Sequence, residues 1–331
     1  MEAKLHKPAF RIVANGDDIT ATIRKRFISL SITDEAGMQS DSLSLVLDDS
    51  PPHIRLPAQG AELRVWLGYE PSVRFMGLYV VDEIGLSLSP ARMTIKAAGA
   101  PFEKSTAYRE LQTQQTRSWT PRTVRELVEA IASEHGLTPA VGPEIGKITL
   151  PHVDQINESN MHLLTRLAMD MDAVAKANGG SLIFVKKGQG QTASGKELER
   201  ISLVPGDVTS CSVTISGRQN YKTVVATWRD VDAARDVEEC AGEGEPTCRI
   251  RHAFPTRDAA QQAARAKLEA FQRGKASLSL SLPGRPGVMA ESRLVLGGGF
   301  REGMAREWSV TRVVHSLGGG GLVLSMDGEG I

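Results

Sequence analysis

The sequence predicts a mainly β protein with an α/β insert, in which two β-barrel modules flank a small α/β domain. Three observations support this prediction: alternating apolar residues, a long stretch that occurs twice, and two helical stripes between the copies. Alternation with period two is typical of strands with one buried face, whereas a period near 3.6 indicates an amphipathic helix. We place the first module at residues 1–103, the insert at 104–195 and the second module at 196–331.

The repeated stretch is Leu63–Gly99, which matches a second stretch near the end of the chain. Gly68 aligns with Gly297, an offset of 297 − 68 = 229 positions. Three further segments match at this offset or close to it: Tyr79–Ile84 with Trp308–Val313, Met93–Ile95 with Leu322–Leu324, and Ser42–Leu47 with Ser277–Leu282. We interpret this as an internal duplication. The alternative is two unrelated β-domains whose strands have similar composition.

The first module reads as a succession of short strands. An Asn15-Gly16 pair separates its first two strands, and this dipeptide favours a tight hairpin turn. Pro51 and Pro52 stop a later strand, because proline cannot donate to a ladder. The remaining predicted strands complete a barrel of six or seven strands: Phe27–Ile32, Leu43–Leu47, Ala61–Gly68, Val73–Ile84 and Arg92–Ala98.

The insert carries two predicted helices and a hairpin. The first helix is expected to begin at Thr120, with Pro121 in its first turn, and to end at Gly136. The second helix should begin near Ser159, whose hydroxyl suits an N-cap. A hairpin is predicted from Ala173–Ala177 and Ser181–Val185 around a Gly179-Gly180 turn.

The second module adds features that the first lacks. Strands are predicted at Ser210–Ile215 and Val224–Trp228, and the acidic stretch Asp232–Thr247 is interpreted as an exposed, mobile loop. The strongest helix of the chain is predicted at 256–273, where Thr256 supplies the N-cap, Asp258 favours the positive end and Gly274 follows.

Composition excludes several classes of protein. Lys+Arg 39 balances Asp+Glu 39, so no overall basic field favours nucleic acid, which we expect at most as passing cargo. No stretch has the length of a signal peptide's apolar core or of a membrane span. Three cysteines in 331 residues do not form a disulfide framework. These features predict a soluble protein made in a reducing cytoplasm.

A search for chemistry gives no catalytic, cofactor-binding or metal-binding residues. Cys240 and Cys248 with His252 come nearest to a metal site, but a fourth ligand is missing and the spacing is unlike that of zinc sites. Cys211 lies in a strand pattern and is expected to pack. The glycine runs 297–299 and 318–321 lie between strands and lack the Lys-Ser/Thr of a phosphate loop.

Catalysis by histidine, serine or paired acids also finds no support. The seven histidines are scattered, and no serine has the glycine spacing of a nucleophile elbow. The adjacent acids Asp17/Asp18, Asp48/Asp49 and Glu238/Glu239 lack an apolar setting that would raise a pKa.

Six segments of the chain carry a resemblance to a known family: Leu137–Val141, Ile148–Ser159, Leu163–Ala168, Phe271–Gly274, Ser277–Gly284 and Trp308–Leu317. Together they resemble the phage late-control protein D family, the hub proteins of contractile phage tails and R-type pyocins, which is related to the N-terminal part of VgrG spike proteins. The resemblance extends over nearly the whole chain.

This resemblance implies a structural protein rather than an enzyme. Family members carry two barrels similar to the tail-tube subunit and form a homotrimer, which adapts a six-fold tail tube to a three-fold spike. The implied partners are the tail tube protein, a trimeric spike protein, and other baseplate or tape-measure proteins. The implied place is the tail baseplate of a virion or pyocin-like particle, assembled in the bacterial cytoplasm. Because VgrG continues into a needle whereas this sequence stops at Ile331, we expect a separate spike polypeptide.

Two alternatives remain open at this stage. A tail-associated peptidoglycan hydrolase would need a carboxyl with a raised pKa beside a second carboxylate. A host-glycan-binding β-module would show exposed aromatic residues in loops, whereas Trp66 and Trp308 lie in predicted strands. Under the hub hypothesis, Leu63 and Leu294 face the core, so Leu63→Asp or Leu294→Asp is expected to abolish assembly.

Overall fold

The computed structural model describes residues 7–36, 41–99, 110–178, 180–188, 200–217 and 220–331. The first third holds β1 (Pro8–Ala14), β2 (Asp17–Asp18), α1 (Thr20–Arg24), β3 (Phe27–Glu35), β4 (Ser42–Asp48), β5 (Glu62–Tyr69), β6 (Ser72–Leu88) and β7 (Ala91–Gly99). The middle holds β8 (Gln114–Trp119), β9 (Arg122–Thr123), α2 (Val124–Glu134), β10 (Thr138–Val141), β11 (Thr149–Leu150), β12 (Val153–Ser159), α3 (Asn160–Asp170), β13 (Ala173–Asn178) and β14 (Ser181–Lys186).

The last third holds the remaining strands and the longest helix. These are β15 (Arg200–Leu203), β16 (Ser210–Ile215), β17 (Thr223–Asp230), β18 (Arg235–Gly242), β19 (Thr247–Phe254), α4 (Arg257–Arg273), β20 (Ala276–Pro283), β21 (Arg293–Leu296), β22 (Glu307–Gly318) and β23 (Gly321–Gly330). The protein is mainly β with few helices, as the sequence predicts.

Within the described ranges, thirteen strands form one sheet. Its main path runs β16-β20-β23-β22-β3-β4-β7-β6-β5-β1-β2, with β21 added to β22 and β15 added to β21. The two predicted barrels are not confirmed as closed units, because no pairing among the described residues closes a ring. The sheet continues from one repeat into the other because β22 is long: its first residues pair with β21 and its last with β3.

The duplication is visible in strand order. In the first repeat the order is β3-β4-β7-β6-β5, and in the second it is β16-β20-β23-β22-β21, with every neighbour antiparallel. A register irregularity falls between Val81 and Glu83 in β6 and between Val310 and Arg312 in β22. Those positions are separated by the offset of 229 found in the sequence.

The sequence offset is wrong by two residues in the flanking strands. Leu63 pairs with Tyr79 and Leu294 pairs with Trp308, so Leu63 corresponds to Leu294, an offset of 294 − 63 = 231. Met93 likewise corresponds to Leu324 rather than Leu322. The cause at the second hairpin is one extra pair, Gly318 opposite Gly321. Because strands have period two, a shift of two residues leaves the buried face unchanged.

Each repeat has its own apolar core. The first is built on fully buried side chains such as Ile12, Leu30 and Met93, and the second on Leu294, Trp308 and Leu324. Burying one such side chain stabilises the fold by roughly 1.5–3 kcal/mol. The alternation read from the sequence therefore identified the inward faces correctly, including Leu63 and Leu294, which are 5% and 0% exposed.

The insert forms the predicted helices with one correction. Helix α2 is capped by Thr123 rather than Thr120: the Thr123 hydroxyl accepts from Glu126 N, and the Glu126 carboxylate accepts from Thr123 N. This reciprocal capping box satisfies two backbone donors, which the single hydroxyl of Thr120 would not. Ser159 caps α3 as predicted, and β13 and β14 form the predicted hairpin.

The expectation of a mobile acidic loop at Asp232–Thr247 is wrong. Residues 235–242 form β18, which pairs with β17, while β19 pairs on the other side of β17. Arginines offset the acidic charge: Arg229 binds Asp236 at 2.9 Å, Arg257 binds Glu239 at 2.8 Å, and Arg249 binds Glu238. Helix α4 packs on this small sheet, with Thr256 accepting from Ala259 N at its start.

Candidate functional site: the seam between the repeats

The two repeats are joined by a seam of paired strands. The last residues of β22 pair antiparallel with β3, placing Leu317 opposite Leu30 and His315 opposite Ile32. Leu317 and Leu322 of the second repeat belong to the apolar core of the first. The backbone hydrogen bonds between β22 and β3 and the shared core residues thus fix the two repeats side by side.

A buried ion cluster lies beside the seam, where the insert meets both repeats. The Lys176 ammonium lies 3.2 Å from Asp34 Oδ1 and 2.5 Å from Asp41 Oδ1, and it also donates to the Glu35 carbonyl at 3.1 Å. The side chains of Lys176 and Asp41 are 13% and 14% exposed. We call Asp34, Asp41 and Lys176, with Glu291 and His315 described below, the three-way junction.

Burial sets the protonation of the cluster. Loss of solvent raises the pKa of Asp41 to about 6, the Asp34 charge adds to this rise, and the Lys176 ammonium opposes it. Burial disfavours the charged form of Lys176, but the two carboxylates outweigh it and raise the pKa of the ammonium. Lys176 therefore stays charged and holds β3 and Asp41, the residue before β4, against the insert's hairpin.

The second repeat contributes polar groups to the same junction. Ala290 N donates to Asp34 Oδ2 at 2.8 Å, so this carboxylate binds both the insert and the second repeat. Burial raises the pKa of Glu291, which accepts from Gly188 N at 3.5 Å. Burial also lowers the pKa of His315, whose Nε2 lies 3.1 Å from the Val288 carbonyl.

A second set of ion pairs ties the insert to helix α4. Arg273 binds Asp172 in a pair whose side chains are 15% and 7% exposed. Lys186 binds Glu269 at 2.7 Å in a more exposed setting. Removing one partner from a buried pair leaves an uncompensated charge, so the Arg273–Asp172 pair holds this contact more firmly than the exposed one.

A cleft between the insert and the β19–α4 connection holds the nearest approach to catalytic carboxyls. Burial raises the pKa of Asp170, whereas hydrogen bonds from Ser118 and His152 lower the pKa of Asp154, and both line this cleft. Arg166, which also lines it, binds Glu158 in a salt bridge at 2.8 Å and donates to the Asp154 carbonyl. These two carboxyls are where the hydrolase alternative would have to act.

The structure places the sequence-derived metal candidates apart. Cys240 lies on β18 opposite Val225, whereas Cys248 lies on β19 opposite Val224, so β17 separates the two strands. His252 packs against the Phe254 ring at 4.6 Å. Cys211 lies on β16 and packs against the second core. Among the described residues, no three His, Cys, Asp or Glu side chains could together hold a metal ion.

The glycine runs are turns, as the sequence indicates. Gly318 and Gly321 form the last pair of the β22–β23 hairpin, and the φ of Gly321 is +93°, which favours glycine. Gly297 N donates to the Leu203 carbonyl beside the β15–β21 pair. Neither run begins a helix that could bind phosphate.

Sequence reasoning missed the three-way junction. One signal was available: Lys176 stands among alanines and a valine in the strand Ala173–Asn178, where a long charged side chain needs a partner if it is buried. Its partners lie over 130 positions away in sequence, so no local pattern could identify them. The arrangement is suited to fixing three parts of the chain together, so the class of protein that it favours is a structural one.

Comparison with known proteins agrees with this class. The profile of the phage tail baseplate hub (GPD) family matches residues 107–320. A probable baseplate hub protein of Escherichia phage 186 is 30% identical over 97% of this chain and 92% of its own length. The crystal structure of the 43 kDa tail protein of prophage MuSo2 from Shewanella oneidensis superposes with a TM-score of 0.72 at 14% identity, covering 97% of this chain and 98% of that one.

A chain of the Francisella PdpA–VgrG complex gives a TM-score of 0.59 at 8% identity, over 99% of this chain and 53% of that one. At such identities the structural likenesses establish the fold alone. The family match and the relative from phage 186 establish more: the chain belongs to the phage tail baseplate hub family. Its function is that of a baseplate hub in the tail of a phage or a related injection machine. No described helix is long and apolar enough to cross a membrane.

Proposed function

We propose that this hub assembles as a homotrimer whose six repeats form a ring, matching a six-fold tail tube on one side and a three-fold spike on the other. The observation that supports it most strongly is the common strand order of the two repeats, with the irregularity at equivalent positions of β6 and β22. Each chain holds two similar units fixed side by side, so three chains supply six similar units.

The proposed architecture retains the division made from the sequence. Residues 1–103 and 196–331 form the two tube-like barrel modules, and 104–195 forms the insert that decorates the ring. In this arrangement the wall of the ring closes through strand pairing between neighbouring units rather than within one unit. An open sheet whose two apolar cores are already filled suits such a wall. The three-way junction fixes the insert against both repeats of the wall.

The proposed partners are the tail tube protein, a trimeric spike protein, and other baseplate or tape-measure proteins. The likeness to a chain of a PdpA–VgrG complex supports the spike as the neighbour, since VgrG stands in that complex. We place assembly in the bacterial cytoplasm and the finished protein in the tail baseplate, of either a phage or a pyocin-like particle.

We propose a purely structural role, without catalysis. The polar clusters support this, because Asp34 and Asp41 bind the same ammonium, and Asp154 in the cleft is held by Ser118 and His152. A zymogram on cell-wall substrate tests it: we expect no clearing by the protein. Clearing that is lost in Asp170→Asn, with the fold intact, would instead establish the hydrolase alternative.

Light scattering on the purified protein, alone and mixed with its spike partner, tests the assembly. We expect a mass of three hub chains for the protein alone, or of three hub chains plus the spike trimer for the mixture. A single-chain mass in both samples would contradict the proposed trimer.

A further inference from the structure

One strand of the first repeat has an edge that no strand in the described part of the chain pairs with. Residues Glu83–Leu88 of β6 pair with β7 on one side, whereas on the other side β5 pairs only as far as Val80. No other described strand pairs with this edge. Leu86 and Leu88, which belong to it, are 60% and 84% exposed. Unpaired strand edges favour association with another strand, and exposed leucines add apolar surface that association would bury.

The equivalent edge of the second repeat is covered. Arg312–Leu317 of β22 corresponds to Glu83–Leu88 by the offset that aligns the two irregularities, and it pairs with β3. His315 and Leu317, the counterparts of Leu86 and Leu88, are 1% and 7% exposed. The internal seam therefore shows which kind of strand covers an edge of this type, and at which register it pairs.

Strand β16, at the far end of the sheet, is the counterpart of β3 in the second repeat. It pairs with β20 as β3 pairs with β4: Val213 is opposite Leu278, and Ile32 is opposite Leu43. The sequences correspond, since Leu30–Thr33 reads Leu-Ser-Ile-Thr and Cys211–Thr214 reads Cys-Ser-Val-Thr. No described strand pairs with the outer edge of β16, and Ile215 at its end is 68% exposed.

We propose that β16 of one copy pairs antiparallel with the free edge of β6 in a second copy, repeating the internal seam. Transferring the register of β3 and β22 places Leu88 opposite Cys211, Leu86 opposite Val213, and Ile84 opposite Ile215. Cross-strand apolar pairs of this kind stabilise sheets. The proposal rests on the homotrimer above and assigns its contact residues.

This pairing explains how the ring closes. Among the described strands of each chain, the β6 and β16 edges have no pairing partner, so the contact is head-to-tail and uses a different surface on each copy. A head-to-tail contact forms a closed ring when its rotation divides a full turn. Because the contact between copies repeats the contact within each chain, successive repeats are related alike, and three chains give six steps.

The surface chemistry favours a second copy over a charged partner. At the internal seam Arg312 binds Glu35 at 2.9 Å, whereas the residues that would meet between copies are mainly apolar or small. The exposed apolar residues are Leu86 and Leu88 on β6 and Ile215 on β16, and the seam register sets each of them opposite an apolar residue. The β6 edge of one copy is therefore complementary to the β16 edge of another copy.

Disulfide trapping tests the register. In a Cys240→Ser, Cys248→Ala background, Leu88→Cys is oxidised with copper phenanthroline in the assembled hub. Opposed residues on antiparallel strands have Cα atoms about 4.5–5.5 Å apart, within disulfide range. We expect species of two and three chains on a non-reducing gel, reversed by reductant, and their loss in Leu88→Cys, Cys211→Ser.

A matched control distinguishes pairing from collision. Ser87→Cys in the same background moves the thiol by one residue to the opposite face, so we expect no cross-link to Cys211. Equal cross-linking at positions 87 and 88 would overturn the register. A three-chain mass with no Leu88–Cys211 cross-link, or a cross-link from Leu88→Cys to the tube or spike protein, would overturn the edge pairing while leaving the trimer. A single-chain mass throughout would overturn both.

Discussion

The first and second repeats share their wall strands but differ in what connects them. Between β3 and β4 the chain has only residues 36–41, whereas between β16 and β20 it has residues 216–275, which hold β17, β18, β19 and α4. The added unit packs against the insert through Arg273–Asp172 and Lys186–Glu269. The wall strands are therefore duplicated, whereas the units attached to them, the insert and the β17–α4 unit, are not. The attached units contact each other and leave the wall strands of the two repeats equivalent.

The largest effect should come from charging the two cores at equivalent positions. Leu63→Asp and Leu294→Asp each place an unpaired carboxylate among apolar side chains, so we expect each to lower the free energy of unfolding by about 4 kcal/mol or more. Denaturant titration measures this, and light scattering should show that assembly is lost. Val323→Asp, on the exposed face of β23, is the control and should cost little. Normal folding of either core variant would show that the repeats do not share an inward face.

The junction should respond next, because the described residues at the other end of the sheet hold no counterpart of it. Lys176→Met leaves Asp34 and Asp41 without their ammonium, which should cost about 3 kcal/mol of unfolding free energy at pH 8. Lys96→Met is the matched control, since the Lys96–Glu83 pair is exposed and contributes at most about 1 kcal/mol. Equal effects of the two substitutions would contradict a buried, structural role for the cluster.

A pH dependence follows from the raised pKa of Asp41. The folded state binds this proton up to about pH 6, whereas the unfolded chain releases it near 3.8. The contribution of Asp41 to stability is therefore complete below the unfolded pKa and is lost as the pH rises through the folded one. Between pH 4 and pH 7, Asp41→Asn should become steadily more stable relative to the native protein, as measured by thermal unfolding. A constant difference across this range would contradict the assignment.

The smallest effect should appear at His315, where the first repeat has Leu86. Burial lowers the folded pKa of His315, so its contribution is complete above the unfolded pKa of 6.5 and is lost as the pH falls below it. His315→Leu, which copies the first repeat, should reduce the loss of stability between pH 7.5 and pH 5. The measurement is the melting temperature at both pH values. An unchanged acid sensitivity would show that His315 does not cause it.

The sequence predicted most of the wall because its signal is local. Segments such as Ser42–Leu47 and Ser277–Leu282 have a leucine at every second position, and one buried face follows from that pattern alone. The register failed where Gly318–Gly321 lengthens a hairpin, since glycine has no side chain to show which face it occupies. The prediction of a loop at Asp232–Thr247 was wrong because it considered the acidic residues without their partners. In the structure Arg229, Arg249 and Arg257 bind these acidic residues and allow them to lie in a strand.

The functional surfaces were harder to predict, because they depend on contacts between distant residues. Lys176 meets its two carboxylates only after the insert folds back on the first repeat. Likewise, the difference between Leu88 and Leu317 does not exist in the sequence, where both end an alternating strand. It arises because β3 covers one of them and leaves the other exposed.

The equivalence of the two repeats in an assembled ring is tested most directly by imaging. Electron-microscopic class averages of the purified hub, viewed along its axis, should show six wall densities of similar size and spacing, with the attachments repeating three times outside them. Three well-separated pairs with unlike inner densities, or a particle without a central ring, would contradict the account.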